Sequence, residues 1–216
     1  MTTIKFCGLT RSEDAAFAQE LGAAFAGVVL SRSARQVSPL EAREIFAGAP
    51  GLRHVGVFRH RDVREIIDES AVAGVEVIQL HGDFQASEIA LLRKEFDGEV
   101  WAVVPVDSSL PGLPRMSPDI LDMIDAVLLD TSVAGTSGGT GVVFDWHALE
   151  PFAEALEGNV DLIVAGGLNP ANVGTMIRVL APATADVSSG VESAPGIKDR
   201  KLMAAFAEAV AAASIV

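Results

Sequence analysis

Eight short apolar runs alternating with helical patterns predict an α/β chain folded as one (β/α)8 (TIM) barrel over residues 1–216. Three observations carry that prediction. The runs are continuously apolar, as strands buried on both faces must be. They recur every ~20–35 residues, about the length of one βα unit. No GxGxxG follows the first run, which argues against the rival doubly wound open sheet.

The strands are expected at Ile4–Cys7, Ala26–Leu30, Val55–Phe58, Val75–Leu80, Val100–Val106, Ala126–Asp130, Leu162–Ala165 and Ala185–Ser188. Helix starts are legible between them. Thr10 with Glu13 offers a capping box ahead of Ala15–Leu21. Ser38-Pro39-Leu40-Glu41 combines an N-cap serine, a first-turn proline and the capping-box glutamate. Ser117-Pro118 opens a short helix, and Asn169-Pro170 opens Ala171–Leu180. The alanine-rich Lys201–Ala212 is the last helix. Prolines and glycines are scattered singly, with no linker-like block to mark a domain boundary.

Composition narrows the function. Half the residues are hydrophobic, 21% are charged and the formal charge is −13, so nucleic acid and anionic membrane surfaces are not expected partners. A small anionic ligand stays open, because a few local groups suffice to bind it. One cysteine cannot form an internal disulfide. Met1 leads into a strand with no basic or apolar leader, and the longest apolar stretches are too short to span a bilayer. A cytoplasmic location is expected.

Cys7 and Asp130 share one placement, the C-terminal end of an apolar strand, and in such barrels chemistry gathers on that face. A lone Cys7 could equally be a small buried hydrophobe. As a base it must be partly thiolate, and a nearby helix N-terminus is expected to lower its pKa. Asp130 read alone is a turn or cap residue; as an acid it must keep its proton near neutral pH. Acid–base catalysis needs such opposite demands on two groups.

Two glycine-bearing loops follow the last strands: Gly166-Gly167-Leu168-Asn169-Pro170 and Ser188-Ser189-Gly190. Backbone N–H groups there can approach an anion closely, and barrels often bind phosphate at this pair of loops. Arg32 and Arg35 follow strand two; a guanidinium can grip a carboxylate with two parallel hydrogen bonds. His81 ends strand four, either as a substrate contact or, the preferred reading, as the partner of a loop carbonyl. The glycine-rich stretch 135–141 is a lid candidate or a plain connection. The four histidines lack ligand spacing, and no metal site or cofactor is expected.

Taken together, Lys5-Phe6-Cys7-Gly8-Leu9-Thr10, Gln79-Leu80-His81-Gly82, Leu128-Leu129-Asp130-Thr131, Gly138-Gly139-Thr140-Gly141 and Asp186-Val187-Ser188-Ser189-Gly190-Val191-Glu192 resemble, in order and from end to end, the phosphoribosylanthranilate isomerases of tryptophan biosynthesis. The resemblance implies a (β/α)8 barrel that catalyses an Amadori rearrangement of a phosphorylated sugar–anthranilate substrate, as a monomer or homodimer, without cofactor or metal. It implies that Cys7 is the general base, Asp130 the general acid and Arg35 the anthranilate-carboxylate contact. Phosphate would sit at Gly166, Gly167, Ser188, Ser189 and Gly190. The chain departs from the family pattern where Val142 and Trp101 replace common lysines and where Phe6 replaces isoleucine. With fewer local cations, weaker substrate binding is expected.

Overall fold

In a computed structural model, the eight predicted strands close on themselves. The described residues are 1–59, 62–106, 116–130, 145–156, 158 and 160–214. The strands are β1 (Thr3–Phe6), β2 (Phe25–Val29), β3 (Arg53–Arg59), β4 (Val77–His81), β5 (Glu99–Pro105), β6 (Ala126–Asp130), β7 (Asp161–Ala165) and β8 (Thr184–Val187). All neighbours are parallel, and β8 pairs back onto β1 in the register Lys5↔Asp186 and Phe6↔Val187. The helices are α1 (Ser12–Glu20), α2 (Pro39–Ala47), α3 (Val63–Ala73), α4 (Ala86–Glu95), α5 (Pro118–Leu121), α6 (Glu150–Leu156), α7 (Val173–Leu180) and α8 (Arg200–Ala213). A small antiparallel hairpin, β9 (Glu192–Ala194) with β10 (Ile197–Lys198), follows β8 and was not anticipated. None of the helices is long and apolar enough to cross a membrane among the described residues.

The helix starts test the capping arguments. Ser38 and Glu41 form the expected reciprocal box at α2, behind Pro39. Thr10 does not cap α1. Its hydroxyl donates to the carbonyl of Gly196 at 2.5 Å, and Arg11 occupies the cap position. The helix after Asn169-Pro170 begins later than expected, at Val173. Asn172 spends its side chain backward instead, accepting from the Asn169 N–H and donating to the Gly167 carbonyl.

Strand residues alternate between two apolar layers. Those facing the helices join one large cluster, in which Phe6 packs on Phe206 of α8 with ring centroids 6.2 Å apart. Those facing inward form a second cluster of Phe25, Val55, Val77, Trp101, Val103, Ala126, Leu128, Ile163 and Ala165. Trp101 is 2% exposed and takes an edge contact from Phe25 at 4.9 Å. Truncating such a ring would cost about 3–5 kcal/mol. Trp101 thus fills the barrel interior. Lys5 and Asp186 also lie on the inward face, alongside the buried polar Gln79 and Thr184.

Candidate active site

The C-terminal mouth of the barrel collects most of the residues singled out by sequence. Cys7 directly follows β1, and its N–H donates to the Val187 carbonyl at 2.9 Å. Asp130 ends β6 on the same rim. Lys5 stands one inward position below Cys7, and its ammonium meets Asp186 at 2.9 Å with 0% and 6% of the two side chains exposed. A Cβ on Gly27 of β2 would lie 3.1 Å from Lys5 Cε and 3.3 Å from Cys7 Sγ. Both side chains thus run across the bare backbone of Gly27. Sequence reasoning missed Lys5 and Asp186. The available signal was a lone charge inside each of two apolar strands.

Electrostatics in this pocket differ from expectation at Cys7. Burial pushes its thiol up; the Lys5 ammonium pulls the other way and Asp186 adds to the rise. The net shift is upward, so the expected lowering does not occur. The nearest following helix begins only at Ser12, and Cys7 is 8% exposed. Burial also raises the carboxyl of Asp186, opposed by Lys5 and reinforced by the nearby charge of Asp130. For Lys5, burial works against the ammonium, but Asp186 and Cys7 together outweigh it and the pKa rises. One cation faces two groups that can become anions. Asp186 interacts electrostatically with both Cys7 and Asp130.

A second charged group lines the rim beside Cys7. Arg35, in the loop after β2, forks onto Glu192 through Nε at 2.8 Å and Nη2 at 2.7 Å. Lys198 holds the same carboxylate at 2.8 Å and also donates to the Ser188 carbonyl at 3.1 Å. The Arg35 stem crosses Gly8 so closely that a Cβ there would fall 2.5 Å from Cδ, and Gly8 has φ +67°. Only glycine fits that crossing. Arg32, the other loop arginine, is exposed and joins none of these contacts.

The two glycine loops touch. A Cβ on Gly190 would lie 1.8 Å from the Leu168 carbonyl oxygen, so backbone packs directly on backbone. Gly166 and Gly167 adopt φ +83° and +63°, which L side chains rarely do. Ser188 and Ser189 open the turn after β8. His81 sits at the end of β4 with Nε2 2.6 Å from Arg59 Nη2. A guanidinium offers only donors, so Nε2 is the acceptor in this contact. This contact is to a side chain. Thr131, the glycine stretch 135–141 and Val142 lie outside the described residues. A separate cavity of about 690 Å³, lined by Met1, Asp161 and Pro182 among others, opens at the N-terminal strand ends and contains none of these residues.

Comparison with known proteins places this architecture. Residues 4–209 match the family model described as N-(5'phosphoribosyl)anthranilate (PRA) isomerase. The N-(5'-phosphoribosyl)anthranilate isomerase of Thermotoga neapolitana is 38% identical over 208 residues, spanning 95% of this chain and 97% of that protein. The protein of the same name from Haloferax volcanii is 36% identical over 213 residues, spanning 97% and 93%. Among solved structures, phosphoribosyl anthranilate isomerase from Thermotoga maritima superposes with a TM-score of 0.84 at 32% identity, covering 98% of this chain and 100% of that one. Another, in complex with reduced 1-(o-carboxyphenylamino)-1-deoxyribulose 5-phosphate, gives 0.80 at 31% identity, with coverage of 98% and 100%.

Proposed function

Because this chain belongs to the N-(5'-phosphoribosyl)anthranilate isomerase family, we propose that it catalyses the Amadori rearrangement of N-(5'-phosphoribosyl)anthranilate to 1-(2-carboxyphenylamino)-1-deoxyribulose 5-phosphate. The observation that carries this reading is the placement of Cys7 and Asp130 at the C-terminal ends of two strands of one closed barrel, with Asp186 in reach of both. Asp130 protonates the furanose ring oxygen, and the ring opens to a Schiff base. Cys7 takes the C2′ proton, made acidic by the adjacent iminium. The enolamine that results tautomerises to the ketone. Ring opening breaks the C1′–O4′ bond as the nitrogen lone pair forms the C=N bond, with the proton from Asp130 ending on the released O4′ hydroxyl; the other steps move protons, and each positioned proton transfer contributes about 10²–10⁴ in rate.

Burial disfavours the thiolate of Cys7. A cationic Schiff base formed beside the sulfur favours the thiolate electrostatically, so base activation follows ring opening. Arg35 receives the anthranilate carboxylate. The touching loops at Gly166–Gly167 and Ser188–Gly190 receive the phosphate, with His81 at the far side of the mouth. Anchors at both ends would hold the ribose between acid and base. Residues 1–216 form one domain in this reading, and a cytoplasmic location suits the chemistry. A monomer or homodimer is the expected assembly. The T. maritima relative is described as dimeric.

The test is turnover of freshly generated phosphoribosylanthranilate by the purified protein, followed by loss of anthranilate-type fluorescence, with the aminoaldose of histidine synthesis run in parallel. Turnover of the first substrate alone is expected. Cys7→Ala and Asp130→Asn should each lower kcat by about 10²–10⁴ with an unchanged circular dichroism spectrum. Near-normal turnover in either variant removes that residue from the mechanism.

A further inference from the structure

Glu192 and Lys198 have no part in the proton transfers above, yet they are among the most thoroughly enclosed charges at the rim. Their side chains are 5% and 0% exposed, whereas Arg35 is 25% exposed. Burying a lysine and a glutamate this completely is unfavourable unless every polar atom is satisfied. Here they are satisfied in one direction. Lys198 donates to Glu192 and to the Ser188 carbonyl, and Glu192 also accepts the Gly196 N–H at 3.3 Å. The hairpin of β9 and β10 brings Glu192 and Lys198 side by side. What emerges toward solvent from this buried set is the guanidinium of Arg35.

A guanidinium has two edges able to hold a carboxylate by paired N–H bonds. Glu192 occupies the edge formed by Nε and Nη2. No hydrogen bond reaches Nη1 among the described residues, so the edge formed by Nη1 and Nη2 retains its donors. Two cations share one carboxylate, and the group keeps a net positive charge at its open end. We propose that Glu192, clamped by Lys198, is the positioning residue of Arg35, fixing the guanidinium over Gly8 so that its second edge is presented to the carboxylate of the substrate.

This rests on the reading of Arg35 given above. It adds that carboxylate recognition is set by the hairpin after β8. It also links the two anchors of the substrate, because Lys198 holds the carbonyl of Ser188 in the loop assigned to phosphate. A floppy Arg35 would still attract an anion, but it would lose the ordered fork that discriminates a planar carboxylate from no group at all.

The experiment compares two competitive ligands, the reduced product analogue and its counterpart lacking the ring carboxylate, on wild type, Glu192→Gln and the double variant Glu192→Gln/Lys198→Met. Wild type should prefer the carboxylate ligand. Glu192→Gln should lose about tenfold of that preference, through weaker binding of the carboxylate ligand alone, with KM raised and kcat within about threefold. The double variant removes the buried lysine left without its counter-charge. It should recover thermal stability without recovering the preference, which a purely structural role would restore. Equal preference in wild type and Glu192→Gln, or tighter carboxylate binding in Glu192→Gln, overturns the proposal while leaving Arg35 in place. A wild type that ignores the carboxylate overturns the role of Arg35 and this proposal with it.

Discussion

Lys5 and Lys198 are both wholly enclosed, and each holds a carboxylate from the β8 region within 3 Å: Asp186 at 2.9 Å and Glu192 at 2.8 Å. The two carboxylates nevertheless shift in opposite directions. Burial acts on both to raise the pKa, and Asp186 does rise. Glu192 falls, because hydrogen bonds from Arg35 and Lys198 outweigh its burial. Deeper burial of Asp186, fewer donors to it and a like charge beside it together account for the difference. Both Glu192 oxygens carry donors, whereas Asp186 Oδ1 has none among the described residues and Asp130 adds a like charge nearby. Ion pairing alone does not decide how a buried acid titrates; burial, neighbouring charge and the count of donors act together. The rim pair is built to stay charged and hold a neighbour. The pair inside the barrel is left under-satisfied where proton transfer is proposed, and that is where such strain is useful.

The largest expected effect separates the two pairs by stability. Lys5→Met leaves Asp186 buried and unanswered inside the barrel, which should cost about 3–5 kcal/mol in chemical denaturation. Replacing both partners, as Lys5→Met/Asp186→Leu, should return most of that loss, since an apolar pair of similar volume fits the surrounding layer. Turnover should stay low in the double variant, because Cys7 has lost the cation that opposes its burial. A single variant within about 1 kcal/mol of wild type would show that Asp186 is already neutral in the folded protein.

The contrast also explains how far the sequence could be read. All eight strands were visible as apolar runs, because a parallel barrel buries both faces and leaves no alternation to confuse the pattern. Local signals worked where the partner was local, as at Ser38 and Glu41. They failed at Thr10, whose hydroxyl is taken by Gly196, 186 positions away. Cys7 and Asp130 stood out by their strand-end positions and the loops after the last two strands by their glycines, whereas the role expected of Arg35 came from the family resemblance. Lys5 and Asp186 were not, because their pairing exists only once β8 closes onto β1. Glu192 and Lys198 stayed hidden because three- and two-residue strands carry no periodicity. The direction of the Cys7 shift depended on enclosure, which is a property of the assembled barrel.

The next effect concerns the sulfur above the inner pair. Burial raises the Cys7 thiol from its ordinary value of 9.0. Alkylation by iodoacetamide should therefore be slow near neutral pH and keep rising beyond pH 9 in the absence of substrate. Lys5 is the main group pulling that pKa down. In Lys5→Met the rising limb should move to still higher pH, and the rate at pH 8 should fall by about tenfold. In Glu192→Gln it should stay in place. A wild-type limb centred below pH 8 would mean that the Lys5 cation prevails over burial.

The smallest effect is the acid limb of stability, where the two carboxylates should pull apart. Glu192 has a folded pKa below its ordinary 4.5. Its contribution is complete above pH 4.5 and is lost as pH falls through the folded value. Asp186 has a folded pKa above its ordinary 3.8. Its contribution is complete below pH 3.8 and is lost as pH rises through the folded value. Acidification therefore costs stability at the rim and restores it inside the barrel. Melting temperatures measured from pH 7 to pH 3 should show wild type gaining on Asp186→Asn as pH falls, then losing ground to Glu192→Gln below pH 4.5. The slopes matter here, since each substitution also shifts the whole curve. Parallel slopes for the two variants would mean that both acids titrate alike, and donor saturation would no longer distinguish the rim from the barrel interior.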